Sequence, residues 1–364
     1  MIDNNKEPGF VRYIHIKAAA LKKPVSGTFE LTSGCNFNCK MCYVHENRPD
    51  RSKELTTEEW LRIGREAADE GMLFVLLTGG EPLLRADFDE IYTALHQLGM
   101  LVTVNTNGSL IDEKKVALFT EHPPRRLNIS LYGANEDTYE DLCGKRAFTT
   151  VKDNIRTLVA AGVNVKINMS ETKLNNKCTD DVFEFANSLN VPFQPGGYMF
   201  PPIRVANPAA EDCRMSPEEY ARSDIRHLTR YKSASELKEY SENALKKDRQ
   251  PADCEEGELI PCRAGKCTFW LTWDGKMLPC GMMTSPEVDV KSLGFSEAWR
   301  QIVSASSEIR LPLKCASCSY RCVCSVCAAK CLCETGSFSE TPDYICRAAK
   351  EKYRLFEAII NNSK

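Results

Sequence analysis

The sequence lacks the features that would direct it to a membrane, to secretion or to a nucleic acid. No apolar run approaches the roughly 18 residues that cross a bilayer. The N-terminus, MIDNNKEPGF, lacks the basic, apolar and small-residue order of a signal peptide. The formal net charge of −3 provides no basic field for a nucleic-acid backbone. We therefore expect a cytoplasmic protein whose partners include neither a membrane nor a nucleic acid.

Histidine is also scarce, whereas cysteine is abundant. The five histidines are scattered and form no pair with the spacing of metal ligands. The 18 cysteines often lie two to five residues apart, and seven of them fall between Cys315 and Cys333. Structural disulfides are rare in a reducing compartment, so this spacing predicts zinc sites or iron–sulfur clusters rather than bridges across the fold.

Strands and helices alternate through the first two thirds of the chain. Nearly continuous apolar runs are separated by segments with the helical period, and we predict strands at 25–32, 72–78, 101–106, 127–133, 163–170 and 191–200. This alternation predicts a parallel sheet covered by helices, either open or curved into a barrel. In both arrangements ligands gather at the carboxyl ends of the strands, where the unusual sequence falls.

Three cysteines follow the first predicted strand on a short loop. Cys35, Cys39 and Cys42 could hold a four-iron cluster and would leave one iron without a protein ligand. Such an open iron is a place where a substrate or cofactor can bind. A fourth ligand from the distant cysteine-rich region would instead make the cluster structural or an electron relay. Zinc fits poorly, because zinc sites usually use paired Cys-x2-Cys units.

Three further elements follow the next three strands: Thr78–Pro82 (TGGEP), Asn105–Gly108 (NTNG) and Ser130–Gly133 (SLYG). Together with the C-x3-C-x2-C triplet, they resemble the radical S-adenosylmethionine superfamily in order and position. The resemblance implies an α/β fold, a partial (β/α)6 TIM-like barrel. It also implies S-adenosylmethionine and a 4Fe–4S cluster as cofactors, which together produce a 5′-deoxyadenosyl radical that takes a hydrogen atom from the substrate.

The same resemblance implies which residues contact the cofactor. The GGEP element would line the methionyl amino group, with the Glu81 carboxylate near the ammonium. Either Met41 or Tyr43 would pack beside the adenine, and Arg146 either pairs with the methionyl carboxylate or lies in an exposed basic turn. The implied cofactor-binding residues are Met41, Tyr43, Gly79, Gly80, Glu81, Pro82, Asn105, Asn107, Ser130 and Arg146.

The C-terminal part resembles the SPASM extension, which binds two auxiliary 4Fe–4S clusters in peptide- and protein-modifying members. A small cysteine-rich α+β domain and three 4Fe–4S clusters in total are therefore implied. For one ligand the family spacing falls on Ala328, and we choose Cys327, with Cys322 and Cys331 as rivals. The implied ligands are Cys262, Cys267, Cys280 and Cys327 for auxiliary cluster I, and Cys315, Cys318, Cys324 and Cys346 for auxiliary cluster II.

These patterns divide the chain into five parts. Asp274–Gly275 predicts a hairpin within the extension, and a polar stretch at 246–257 indicates a linker. The parts are an N-terminal segment (1–24), the barrel core (25–200), a helical linker (201–260), the extension (261–346) and a C-terminal helix (347–364).

The resemblance to this extension implies a peptide or protein substrate and an electron donor of flavodoxin or ferredoxin type. It also implies that the enzyme works anaerobically in the maturation of ribosomal peptides. Crosslinking through a thioether or carbon–carbon bond, oxidation and epimerisation all stay open. Sulfatase-maturing members carry an aspartate after the hairpin cysteine, and Gly281 follows Cys280 here, which weakens a sulfatase-maturing role. Oxidation of a small alcohol or sugar also stays open, as does a non-catalytic role as an iron–sulfur electron carrier.

Three cysteines in or beside the barrel, outside the cluster motifs, are either inert buried thiols or donors that return a hydrogen atom to a substrate radical. They are Cys143, Cys178 and Cys213, of which Cys143 and Cys213 are the candidate donors. About 24 residues precede the first strand, too few for a leader-binding domain. We therefore expect leader recognition, if any, to use a separate protein, the barrel or the extension.

Overall fold

The computed structural model describes residues 9–44, 51–204, 207–246 and 257–362, so most of the polar stretch predicted at 246–257 lies outside the described residues. The strands are β1 (Ser26–Glu30), β2 (Phe74–Thr78), β3 (Leu101–Thr106), β4 (Arg126–Ser130), β5 (Val165–Ser170), β6 (Phe193–Gly196), β7 (Thr268–Leu271), β8 (Lys276–Leu278) and β9 (Val288–Asp289). The helices are α1 (Gly9–Ala20), α2 (Thr57–Asp69), α3 (Phe88–Gln97), α4 (Glu113–Glu121), α5 (Glu136–Cys143), α6 (Phe148–Ala160), α7 (Thr179–Ser188), α8 (Pro208–Cys213), α9 (Pro217–Thr229), α10 (Ala234–Leu245), α11 (Val290–Leu293), α12 (Phe295–Ser307), α13 (Leu313–Ala316), α14 (Ala328–Thr335) and α15 (Asp343–Asn362).

The strands form one sheet in the order β6-β5-β4-β3-β2-β1-β7-β8-β9. Strands β1 to β6 are parallel, and each pairs with its neighbour in sequence across a helical crossover. This arrangement confirms the predicted α/β fold with its six-stranded parallel core. Because Glu30 is level with Thr78, the loops after β1 and β2 emerge side by side at one edge.

The cysteine-rich extension continues this sheet. Strand β7 pairs in parallel with β1, from Ser26 opposite Thr268 to Phe29 opposite Leu271. Strand β8 returns antiparallel to β7, as the hairpin signal predicts. The domain boundaries stay a prediction, but the pairing makes the first and last strands of the predicted units direct neighbours, which local sequence patterns do not indicate.

Helix α1 was not predicted, although it lies within the N-terminal segment. It covers the amino end of the barrel, where His15 stacks on Phe74 with ring centroids 5.2 Å apart. Ala18 is buried beside Val25 and Cys267 in a small apolar cluster. The helix therefore joins the barrel strands to the start of the extension.

The main core lies between the parallel strands and their helices. Phe29 on β1 and Trp60 on α2 are both fully buried, with ring centroids 5.1 Å apart. Helix α2 begins with the predicted capping box, in which the Glu59 amide donates to the Thr56 hydroxyl at 3.2 Å.

Helix α15 begins earlier than predicted and includes Cys346. In the described ranges, no helix combines the length and apolarity that a membrane span requires.

Candidate functional site

The loops at the carboxyl ends of β1 to β5 surround a cavity of about 540 Å³. This volume is in the range of sites for small molecules and cofactors. Its lining includes the three cysteines of the first loop and seven residues that the resemblance assigned to the cofactor. These are Cys35, Cys39 and Cys42, with Met41, Tyr43, Gly79, Gly80, Asn105, Asn107 and Ser130.

Two glycines allow the loop after β2 to press against the cysteine loop. The Gly80 amide donates to the Thr32 carbonyl at 2.8 Å, and the Glu81 amide donates to the Gly34 carbonyl at 2.9 Å. A Cβ at Gly80 would lie 2.3 Å from the Gly34 carbonyl oxygen, and one at Gly79 would lie 2.6 Å from that of Thr32. Only glycine permits this approach, by which two backbone segments form one wall of the cavity.

Glu81 does not line the cavity, contrary to the expectation that its carboxylate faces an ammonium there. The buried carboxylate accepts hydrogen bonds from the Thr106 hydroxyl at 2.7 Å, the Asn107 amide at 2.7 Å and the Leu83 amide at 3.1 Å. Burial raises the pKa of Glu81 to about 7, although these donors oppose the shift. Glu81 thus positions Asn107, while Pro82 is buried behind the wall.

The end of helix α5 holds the cysteine loop from outside the cavity. The Asn38 amide donates to the Cys143 carbonyl at 3.0 Å, and the Lys40 amide donates to the Leu142 carbonyl at 2.9 Å. Cys39 lies between these two anchors. Burial raises the pKa of Cys35 to about 12, so its thiolate requires a positive partner. Three sulfur donors, with no histidine among the described residues that line the cavity, suit an iron–sulfur cluster.

Asparagines on neighbouring strands add polar groups to the floor of the cavity. The Asn128 side-chain amide donates to the Asn105 side-chain oxygen at 2.8 Å. In the described chain, the Asn168 side-chain oxygen is buried without a hydrogen-bond partner, and Asn168 lines the cavity. Asn168 was not predicted, although β5 alternates apolar residues with Lys166, Asn168 and Ser170, a period that could have identified its polar face.

A different arginine from the predicted one reaches the cavity. Arg146 lies outside it, where its guanidinium pairs with Asp137 at 3.1 Å and with Glu140 at 2.8 Å, so the expectation of an exposed basic turn is correct. Among the described residues that line the cavity, Arg51 is the single lysine or arginine. Its guanidinium lies beside Gly34, 2.6 Å from where a Cβ would stand, and a guanidinium in this position can bind an anionic group of a ligand.

The candidate hydrogen-donating thiols do not line the cavity. Cys143 is fully buried behind the cysteine loop. Cys213 is also buried, and its thiol donates to the Ala210 carbonyl at 3.4 Å. Cys178 is half-buried and lies outside the cavity as well. The structure therefore gives none of the three direct access to a ligand in this space.

The cysteines assigned to auxiliary cluster II lie in the extension, and the other three influence the thiol of Cys315. Burial, followed by repulsion from Cys324, Cys346 and Cys318, raises the pKa of Cys315 to about 11. Buried Arg321 opposes this shift and donates to Glu258 at 2.6 Å. Cys315 thus interacts electrostatically with the other three thiols, although Cys346 lies on a separate helix.

For auxiliary cluster I, the choice of Cys327 over its rivals stays a prediction. Burial, with smaller contributions from Cys327 and Cys262, raises the pKa of Cys280 to about 11. Cys331 is fully buried and interacts first with Cys315, on the side of the other cluster. Cys322 donates to the Ser319 carbonyl instead. Cys267 is buried beneath α1. Among the described residues, no three Cys, His, Asp or Glu side chains converge as around a single metal ion.

Glu30, at the end of β1, joins the barrel to the extension. Its carboxylate accepts two hydrogen bonds from Arg204, at 2.5 and 2.8 Å, and one from the Trp270 indole at 2.8 Å. The indole packs directly on Gly281, where a Cβ would lie 2.3 Å from a ring carbon. The space after Cys280 is therefore filled by Trp270, and an aspartate side chain has no room there.

Comparisons with known proteins agree with this architecture. Residues 29–186 match the sequence profile of the Radical SAM superfamily. The AdoMet-dependent heme synthase of Methanosarcina barkeri is 28% identical over 341 residues, which cover 87% of this chain and 94% of that protein.

Two solved structures share the fold. Streptococcus suis SuiB bound to the precursor peptide SuiA has a TM-score of 0.64 and 19% identity, covering 95% of this chain and 82% of its own. Native anSMEcpe with bound AdoMet and Kp18Cys peptide has a TM-score of 0.65 and 16% identity, covering 93% of this chain and 98% of its own. At this coverage the likeness includes the extension as well as the barrel.

Proposed function

We propose that the chain, whose residues 29–186 match the Radical SAM superfamily, is a radical S-adenosylmethionine enzyme with a SPASM extension that abstracts a hydrogen atom from a residue of a peptide or protein substrate. The observation that carries the proposal is the single cavity that contains Cys35, Cys39, Cys42 and the glycine loop after β2. A fold shared with two proteins solved with bound peptides supports the choice of substrate.

The residues around the cavity suit the cofactor. When bound, the cluster and S-adenosylmethionine supply a 5′-deoxyadenosyl radical by one-electron cleavage of the sulfonium. The three loop cysteines would hold the cluster, and the backbone at Gly79 and Gly80 would accept hydrogen bonds from the methionyl ammonium. Arg51 would bind the methionyl carboxylate, in place of Arg146. Asn107 and Ser130 would bind the ribose and orient it within the cavity.

The extension would hold two further 4Fe–4S clusters, with the ligands that the sequence assigns and Cys327 completing auxiliary cluster I. These clusters would remove an electron from the product radical, and a flavodoxin- or ferredoxin-type protein would supply the electron that starts the reaction. The electrostatic influence of Cys318, Cys324 and Cys346 on the thiol of Cys315 supports this assignment.

Anaerobic reconstitution tests the proposal. Wild-type protein should bind about 12 iron and about 12 sulfide per chain, the content of three 4Fe–4S clusters. With reductant and S-adenosylmethionine it should release 5′-deoxyadenosine. Replacing the three loop cysteines by alanine should abolish this release, whereas Cys178→Ala should not. Stoichiometric zinc, or no 5′-deoxyadenosine from the wild type, would refute the proposal.

The substrate class requires a separate measurement. Candidate peptides encoded beside the gene should be incubated with the active enzyme in deuterated buffer and analysed by mass spectrometry. A loss of about two daltons indicates crosslinking or oxidation, because two hydrogen atoms leave the product. Deuterium incorporation, without any other change in mass, indicates epimerisation. Turnover of no peptide, despite active cleavage of S-adenosylmethionine, would argue against a peptide substrate.

A second candidate is a reaction on a porphyrin precursor, which the near full-length similarity to a heme synthase favours. Conversion of a porphyrin substrate would be followed by absorbance and mass. A sulfatase-maturing role is disfavoured, because Trp270 fills the space beside Gly281 where that group places its aspartate.

A further inference from the structure

The side chain of Cys143 lies against Cys39, one of the three loop cysteines. The Cys143 side chain is fully buried in the core against which Cys39 packs, and a hydrogen bond to the Cys143 thiol is the first cause that raises the pKa of Cys39. The contact is fixed by the backbone, because the residues on both sides of Cys39 donate to α5. Asn38 donates to the Cys143 carbonyl at 3.0 Å, and Lys40 donates to the Leu142 carbonyl at 2.9 Å.

The turn after Cys143 explains why this contact is so close. Gly144 ends helix α5 with φ of 66°, a conformation that favours glycine. A Cβ at Gly144 would lie 3.1 Å from the Asn38 carbonyl oxygen. The missing side chain thus allows the end of α5 to lie directly against the cysteine loop, with the Cys143 thiol facing inward.

A second polar group occupies the same interior. The Tyr139 side chain is fully buried, and in the described chain its hydroxyl has no hydrogen-bond partner. Cys143 lies one turn further along α5, and after burial the Cys143 and Cys39 thiols are the next causes that raise the pKa of Tyr139. A buried hydroxyl without a partner is costly unless an acceptor is supplied. An anionic cluster sulfur next to it would be such an acceptor.

We propose that Cys143 is a positioning residue that donates a hydrogen bond to the Cys39 sulfur when Cys39 ligates the cluster, and so raises the reduction potential of that cluster. The inference rests on the proposed function, since it requires Cys39 to be a cluster ligand. A donor that faces a ligand sulfur stabilises the more negative, reduced state of the cluster. The same contact holds the sulfur in place, as outer hydrogen bonds do for metal ligands. Cys143 thus acts from behind the cavity, with no contact to the substrate.

The test is an anaerobic redox titration of reconstituted holoenzyme followed by EPR. The catalytic cluster is identified as the signal that changes when S-adenosylhomocysteine is added, because only a cluster with an open iron can bind it. Wild type is compared with Cys143→Ala, which removes the donor, and with Cys143→Ser, which keeps one. Cys178→Ala is the control, since it removes a partly buried thiol outside the cavity.

At the wild-type midpoint, we expect Cys143→Ala to lower the ratio of reduced to oxidised catalytic cluster about tenfold, which is 59 mV for a one-electron couple. Cys143→Ser should stay near the wild type. The inference is overturned if Cys143→Ala titrates like Cys178→Ala, or if the serine variant falls as far as the alanine variant, which would indicate packing alone. If the wild type shows no signal that responds to S-adenosylhomocysteine, the proposed function fails instead.

Discussion

Replacing Gly80 by alanine tests whether the contact between two backbone loops shapes the cofactor cavity. The new Cβ would lie 2.3 Å from the Gly34 carbonyl oxygen and 2.8 Å from that of Ser33. Both neighbours are backbone atoms, which cannot rotate away as a flexible side chain can. The loop after β2 must therefore move away from the cysteine loop.

The cost of this movement has two parts. Overpacking of a tight contact typically costs about 1–3 kcal/mol. Separation also weakens the hydrogen bonds from Gly80 to Thr32 and from Glu81 to Gly34, each worth about 1 kcal/mol. We therefore expect a destabilisation of about 2–4 kcal/mol. Since these loops form one wall of the cavity, part of that energy should appear as weaker cofactor binding.

The assay is anaerobic calorimetric titration of the reconstituted protein with S-adenosylmethionine, with thermal unfolding measured in parallel. Gly80→Ala should weaken binding by about tenfold or more, which is about 1.4 kcal/mol. The matched control is Gly196→Ala, because no atom lies within 4 Å of the Cβ position there. Equal affinity and equal melting temperature in the two variants would refute the reasoning.

Three further predictions follow from the same geometry. Glu81→Gln leaves one oxygen for three donors, at a cost of about 1–3 kcal/mol. Burial raises the pKa of Glu81 to about 7, so the contribution of this carboxyl group to stability is greatest at low pH and falls as pH rises through 7. Urea unfolding at pH 5 and pH 8 should therefore show a loss of stability in the wild type and not in the variant. Gly281→Asp should displace Trp270 and lower the melting temperature, whereas an unchanged melt would show that the indole can move. Cys327→Ser should lower iron content by about four atoms per chain and Cys331→Ser should not, so equal losses would reassign the ligand.

The catalytic half of the fold could be predicted from sequence because its signals are local. Each apolar run and each capping pattern lies within a few residues, and the loops that matter follow their strands directly. Seven of the residues that the resemblance assigned to the cofactor line the cavity, because they follow their strands directly. The direction of a single side chain was harder to predict. Glu81 and Arg146 lie in the expected loops, yet one turns inward to Asn107 and the other turns outward to Glu140.

Asn168 could have been found from the alternation of β5, but other features that sequence analysis missed depend on contacts that no local pattern records. Pairing of β7 with β1 joins residues more than two hundred positions apart, and no local pattern records it. Local patterns also do not indicate that Arg51 reaches the cavity from beyond the cysteine loop, or that Trp270 covers Gly281. Packing between such segments decided the geometry at the boundary between barrel and extension.

The pairing of β7 with β1 also places the cysteine loop and the assigned ligands Cys267 and Cys280 of auxiliary cluster I towards opposite ends of β1. Cys267 immediately precedes β7 at the level of Ser26, and the hairpin returns so that Cys280 follows the end of β8 on the same side. The cysteine loop instead emerges beyond Glu30, at the opposite end of β1. Five residues of strand span about 16 Å at 3.3 Å per residue. None of the described ligands assigned to auxiliary cluster I lines the cavity. This separation favours removal of an electron from the product radical, rather than direct ligation of the substrate, as the task of that cluster.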